Sequence, residues 1–184
     1  MFISSILNII RGVYNVYCAK HTKGLEVKVN GRPYMRLGTR IKTNPGSKKM
    51  IIGERLSMDY GAQIRVGKGG SIVIGNNCYF NCNTYITACG NISIGDHVLI
   101  GPNVAIFDHD HKFRETEGLS SNQLNVGEIQ IGNNVWIGAN SVILKGAKIG
   151  DGVIIAAGSV INKNIPPNSI IVQKRESTIV PISR

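Results

Sequence analysis

Two histidines, His109 and His111, stand two residues apart in the stretch IFDHDHKFRETEGL, with Asp108 and Asp110 beside them. So polar a run has no packing reason to hold two imidazoles. An imidazole near its neutral pKa can take a proton from a hydroxyl at pH 7, the step that acyl transfer to an alcohol requires. The same residues fit a second chemistry. Two histidines two apart on an extended strand can converge on zinc, with His97 as a third ligand. A serine or cysteine nucleophile is harder to place, because the surrounding repeat buries the nearest candidates.

That repeat is what must position the histidines. From Ile131 to Ile165 isoleucine returns every six residues, at Ile131, Ile137, Ile143, Ile149, Ile155 and Ile161. Small residues follow several of them (Gly132, Gly138, Gly150, Ala156), and Val135, Ser141, Ala147, Val153 and Ser159 stand four residues on. Neither a helix nor an alternating strand has a period of six. A solenoid does, each unit being one short strand plus a turn and three units closing a triangular coil. Its inward isoleucines form the core, and Gly or Asn, as at Asn133 and Asn134, takes the tight corners. Earlier coils read Ile94, Ile100, Ile106, then Ile74, Phe80, Ile86, and more loosely Ile52, Met58, Ile64. A two-residue bulge is expected near Gly90 and Asn91. After Ile106 the beat fails until Ile131, so the solenoid ejects one long loop, and such loops usually carry function.

At 184 residues the chain is long enough for one domain with a continuous core, and 6% aromatic residues with 22 glycines suit a narrow coil interior. Residues 1–50 hold ten Lys or Arg against one acid, Glu26, which is most of the net +10. That asymmetry calls for an anionic partner at the N-terminal end. No aromatic interleaving or recognition motif accompanies it, so nucleic acid is not expected. Cys18, Cys78, Cys82 and Cys89 form no CxxC pair; Cys78 falls on an inward position, and Cys82 and Cys89 read as unpaired. Free thiols, no secretory signal and no membrane-spanning run point to the cytoplasm. In residues 1–22, Ser4, Asn8, Arg11 and Asn15 draw a narrow polar stripe on an otherwise apolar helix. Two readings stand side by side. The helix caps the open edge of the first coil, or it lies peripherally on the cytoplasmic membrane face with Arg11, Lys20 and Lys23 near headgroups.

The hexapeptide run, the ejected loop with its histidines, and VWIG…AAGSVINKNIPPN resemble the hexapeptide-repeat acyltransferases over roughly residues 70–168. The closest group is the maltose, galactoside and nodulation sugar O-acetyltransferases with their capsular and colanic-acid polysaccharide relatives. The resemblance implies an all-β fold, a left-handed parallel β-helix assembled as a homotrimer. It implies acetyl-CoA as acyl donor, no metal, and a sugar or polysaccharide-precursor acceptor. Domain bounds follow: an amphipathic helix at 1–22, the β-helix at 23–168 with its ejected loop at 107–128, and a tail at 169–184.

The same resemblance carries site residues over. Laid without gaps, it puts the catalytic histidine on His111, leaving His109 as a neighbour that orients the base or binds the acceptor. The acceptor-site asparagine falls on Asn81 and the tryptophan near the substrate channel on Trp136. Acetyl-CoA would run along main chain at Gly138, Ala139, Ala156, Ala157 and Gly158. Lys163 would approach its pantetheine or phosphate portion, and Lys174 and Arg175 its nucleotide phosphates. Three departures mark this chain: no acidic acceptor-site residue in residues 1–40, Ser169-Ile-Ile-Val-Gln-Lys-Arg after IPPN, and Ala139 where serine is common. The missing acid and the different N-terminus favour the polysaccharide-type relatives. Three further readings of the same pattern are an N-acyltransferase on an amino sugar, a γ-class carbonic-anhydrase-like metalloprotein using His97, His109 and His111, and a non-catalytic trimeric scaffold.

Overall fold

The computed structural model describes residues 2–112 and 123–174. One helix, α1 (Phe2–Lys20), precedes a stack of parallel strands arranged on three faces. The first face runs β1 (Glu26–Val29), β4 (Lys49–Ile52), β7 (Ser71–Ile74), β10 (Asn91–Ile94), β15 (Glu128–Ile131), β18 (Lys148–Ile149) and β21 (Asn164–Ile165). The second runs β2 (Tyr34–Met35), β5 (Ser57–Met58), β8 (Tyr79–Phe80), β11 (Leu99–Ile100), β16 (Trp136–Ile137), β19 (Ile154–Ile155) and β22 (Ile170–Ile171). The third runs β3 (Arg40–Thr43), β6 (Gln63–Val66), β9 (Tyr85–Ala88), β12 (Ala105–Phe107), β17 (Val142–Leu144) and β20 (Val160–Ile161). A hairpin of β13 (His109–His111) and β14 (Leu124–Val126) leaves the stack between β12 and β15.

The six-residue beat becomes vertical register. Ile131 pairs with Ile149, Ile137 with Ile155 and Ile143 with Ile161, all of them buried. The looser upstream beat holds as well, since Ile52, Met58 and Ile64 are core residues. Corners stack in columns. Asn83, Asn103 and Asn140 all adopt positive φ between the second and third faces. Their amides form a ladder, Asn83 Nδ2 donating to Asn103 Oδ1 at 3.3 Å and Asn103 Nδ2 to Asn140 Oδ1 at 3.2 Å. A left-handed residue with its own donor and acceptor suits such a column. Of the two asparagines expected at positive φ, Asn134 takes it and Asn133 does not. Asn133 instead accepts the Asp96 N–H through Oδ1 at 2.8 Å, tying one coil to the next. The glycine after the core isoleucine has a steric reason: a Cβ on Gly95 would lie 2.7 Å from the Gly132 carbonyl.

The extra two residues between coils are Cys89 and Gly90, one place earlier than expected, because Asn91 already opens β10. The stack also runs past residue 168. Ile170 and Ile171 pair with β19, so the segment read as a tail begins with a strand. Gln173 then closes the last coil like one further strand residue. Its Oε1 accepts the Val160 N–H at 2.8 Å and its Nε2 donates to the Val160 carbonyl at 2.6 Å.

Helix α1 caps the first coil, and does so with its polar stripe turned inward. Asn8 Nδ2 donates to the Tyr34 hydroxyl (2.9 Å), Arg11 to the Met35 carbonyl (3.1 Å), and the Ile41 N–H to Asn15 Oδ1 (2.8 Å). These side chains satisfy edge groups that a next coil would otherwise meet. Gly12 permits the approach, since a Cβ there would sit 1.9 Å from the Pro33 carbonyl oxygen. Arg11, expected near lipid headgroups, is therefore committed to the coil. The apolar side of α1, with Ile6, Leu7, Ile10, Val13, Tyr14 and Tyr17, is left exposed. No described helix is long and apolar enough to cross a membrane.

Candidate active site

The hairpin carrying the histidines is anchored by Asp108, the last residue before β13. Its carboxylate is fully buried and accepts the N–H groups of Cys89 (2.8 Å) and Gly90 (2.8 Å). The two-residue bulge thus exists where a buried anion needs donors, which accounts for its position. From the same carboxylate His109 Nδ1 lies 3.1 Å away, and the other ring nitrogen, Nε2, lies 4.0 Å from Cys89 Sγ. His109 also meets the Phe107 ring edge-on at 6.2 Å. Alternation on the strand sends Asp110 to the opposite side, where Lys145 Nζ pairs with it at 2.7 Å. His111 is exposed, with no hydrogen-bond partner among the described residues. Both imidazoles line one cavity of about 530 Å³ together with Cys89 and Thr87.

This arrangement can hold and move a proton. Asp108 fixes one nitrogen of His109, which leaves the other free to face a reactant. Cys89 does not offer a ready nucleophile, since burial first and the Asp108 carboxylate second push its thiol up from the ordinary value. Cys89, Asp108 and His109 do bring ligand-type atoms within 4.8 Å of one another. The carboxylate, however, is already engaged by backbone donors, so the cluster reads as orientation of the ring. The three-histidine zinc set does not form. His97 sits at positive φ on the corner between the first and second faces, beside Asn77, while His109 and His111 follow the third face.

The other expected residues occupy a different edge. Asn81, Gly138, Ala139, Ala156, Ala157 and Gly158 all lie on the corner between the second and third faces. Trp136 stands beside them on β16, 54% exposed and in register with Leu99 and Ile154. Lys174 follows β22 on that edge, whereas Lys163 lies on the histidine edge, between β20 and β21. Arg175 lies outside the described residues. Asn81 Oδ1 accepts the Cys82 N–H at 2.7 Å. One acid that the sequence did not single out lies near Asn81. Asp59, one coil before Asn81, accepts the Tyr79 hydroxyl at 2.7 Å and lies 3.4 Å from Arg36 Nε. Burial opposes its charge, but Tyr79, the Tyr60 N–H and Arg36 outweigh that and hold its carboxyl below the usual range. Tyr79 is pushed up to about 12, by burial and then by Asp59. Asp59, Cys89, Thr87 and Lys145 escaped sequence reasoning because the residues they stand beside lie one or two coils away. Only the coil spacing could have found them.

Comparison with known proteins agrees with this geometry. The bacterial transferase hexapeptide (six repeats) family matches residues 128–163. The galactoside O-acetyltransferase of Escherichia coli K12 is 43% identical over 102 residues, 55% of this chain and 50% of that protein. WbbJ of the same strain, an O-acetyl transferase assigned to lipopolysaccharide biosynthesis, is 32% identical over 136 residues, 70% of this chain and 68% of WbbJ. Among solved structures, galactoside acetyltransferase in complex with coenzyme A superposes with a TM-score of 0.51 at 26% identity, over 91% of this chain and 76% of that one. The chain spans about half the length of the galactoside enzyme it matches in sequence. Three parallel faces, the ejected histidine hairpin and these relatives agree on the left-handed parallel β-helix: the chain belongs to the hexapeptide-repeat acetyltransferase family.

Proposed function

We propose that the protein is an O-acetyltransferase that moves an acetyl group from acetyl-CoA to a sugar hydroxyl in surface polysaccharide synthesis. The observation that carries this reading is the imidazole pair lining one cavity at the mouth of the hairpin. The names of the relatives supply donor and acceptor class. In the step proposed, the acceptor oxygen attacks the thioester carbonyl while His111 takes its proton. The carbon–sulfur bond then breaks, and the departing thiolate recovers that proton from the imidazolium. The gap-free register selects His111, whose ring no described partner occupies. A second reading, favoured by the Asp108–His109 contact, makes His109 the base.

The trimer belongs to the same proposal. One chain carries the histidines on one edge and Asn81, Trp136 and the glycine–alanine corners on another. A threefold rotation sets the first edge of each subunit against the second edge of its neighbour, a head-to-tail contact that closes. The outward apolar side of α1, with Lys20 and Arg32 lining the hollows along it, supports peripheral contact with an anionic membrane face. The four free cysteines suit a reducing, cytoplasmic setting for this chemistry.

Thiol release from acetyl-CoA, measured against free, nucleotide-linked and lipid-linked sugars, tests the reaction. His111→Ala is expected to lower kcat by about 10²–10⁴, the range for losing a general base, with little change in acetyl-CoA affinity. His109→Ala is expected to cost less. The reverse order would transfer the base role to His109, and full activity in both variants would remove the mechanism. Turnover with no sugar at all would end the acceptor assignment.

A further inference from the structure

The cavity beside the histidines continues downward onto the coils before them, where its chemistry changes. Its floor is built from Asn44, Arg65 and Lys68 in addition to Thr87. Arg65 and Thr87 are register partners on neighbouring strands, and Thr87 pairs in turn with Phe107. With coils about 4.8 Å apart, Arg65 lies about 10 Å below the coil from which the histidine hairpin springs. Both Arg65 and Lys68 are exposed, and neither forms an ion pair among the described residues. Among the described residues no carboxylate lines the cavity. Asp108 lies buried beneath its wall with donors on both oxygens, and Asp110 turns to the other side and pairs with Lys145.

A second observation points to a ligand. Thr87 is 7% exposed, and its hydroxyl is buried with no hydrogen-bond partner among the described residues. A hydroxyl taken from water and left unpaired is costly, and such groups normally have a partner. Thr87 stands between the imidazoles above and the two cations below, where a polar ligand spanning the cavity would pass it.

We infer that the acceptor is a sugar bearing an anionic substituent, a carboxylate or a phosphate. Arg65 and Lys68 hold the anion, and the Thr87 hydroxyl, turned from its buried position into the cavity by rotation about χ1, meets a polar group of the ring. The hydroxyl to be acetylated is then delivered to the histidines at the other end of the cavity. The planar fork of Arg65 suits a carboxylate or phosphate, and Lys68 adds a second positive charge from the adjoining turn. This inference rests on the proposed acetyl transfer for its orientation, though not for the existence of the anion site.

The test uses the full chain and three probes: galactose, galacturonate and galactose 1-phosphate. Binding is followed by calorimetry or NMR titration without acetyl-CoA, and transfer is followed separately by thiol release. At low salt at least one charged probe is expected to bind tighter than galactose by about tenfold or more, as charge-assisted hydrogen bonds allow. Comparing galacturonate with the 1-phosphate identifies which anion is read. Arg65→Gln should remove the preference and Lys68→Gln should weaken it. Lys28→Gln, an equal loss of charge on the first face, should leave it intact. Equal binding of all three probes, no binding of any, or a preference that survives Arg65→Gln would overturn the inference. Charge-selective binding without thiol release would leave the anion site standing and end the acetyl-transfer reading. Thiol release that is indifferent to charge would do the opposite.

Discussion

At the residue scale the site turns on which groups are fixed and which are free. Asp108 is the most constrained, buried with two N–H donors and one imidazole nitrogen around its carboxylate. Asp108→Asn places an amide N–H₂ where one oxygen now accepts, so at least one donor loses its partner. A stability loss of about 1–3 kcal/mol is expected, read as a lower midpoint in urea unfolding. The same variant separates the two base assignments. If His111 is the base, kcat in the folded variant falls by less than about tenfold; if His109 is the base, losing its orienting carboxylate costs more. An unchanged unfolding midpoint would contradict the buried hydrogen-bond network itself. The histidines were legible in the sequence because a polar run gives imidazoles no core to fill. Arg65, Lys68 and Thr87 were not legible. Their meeting depends on coils stacking twenty or so residues apart, and within their own strand they look like ordinary outward residues.

At the element scale α1 teaches where pattern reading stops. The polar stripe at Asn8, Arg11 and Asn15 was visible as periodicity, but its direction was not. A narrow polar stripe ordinarily faces water; here it faces strand-edge backbone, whose unpaired groups demand hydrogen bonds. The consequence is an exposed apolar surface beside basic residues, the pattern of a helix lying on an anionic lipid surface. Vesicles of mixed neutral and anionic phospholipid should sediment the protein at low salt and release it at high salt, where the screening length shrinks from about 10 Å at 0.1 M to about 3 Å at 1 M. Ile6→Asp with Ile10→Asp should abolish retention without disturbing the cap, since both side chains point away from the first coil. If vesicles never retain the wild-type protein, and it instead associates further as concentration rises, the helix face joins copies of this chain.

At the scale of the whole molecule, the coil architecture was the most legible feature. An unbroken six-residue period over Ile131–Ile161 admits little else, and the structure stacks those isoleucines in register. The hand of the winding and the assembly were not in the period, and came from resemblance. The division of site residues between two edges makes the assembly testable. Sedimentation should give a particle near three times the 19.9 kDa chain. Mixing Asn81→Ala subunits with His111→Ala subunits should restore part of the activity each lacks alone, because some interfaces then pair two unmutated edges. A stable, active monomer would refute the shared site.

The ejected hairpin bears on how such a site can change. The coil that follows it is offset by 18 residues, and the coils that flank it by 37, yet β10 and β15 keep four registered pairs across the gap. Loop-closure entropy grows only logarithmically, so this doubling costs about 0.6 kcal/mol beyond an ordinary coil. Insertions and deletions at the hairpin can therefore reshape acceptor contacts almost without cost to the stack. The opposite edge has no such freedom: a Cβ on Gly138 would meet Ala157 N at 2.5 Å. A lineage built on this frame can vary what it modifies by changing the length of one segment, while the edge expected to bind the donor stays as it is.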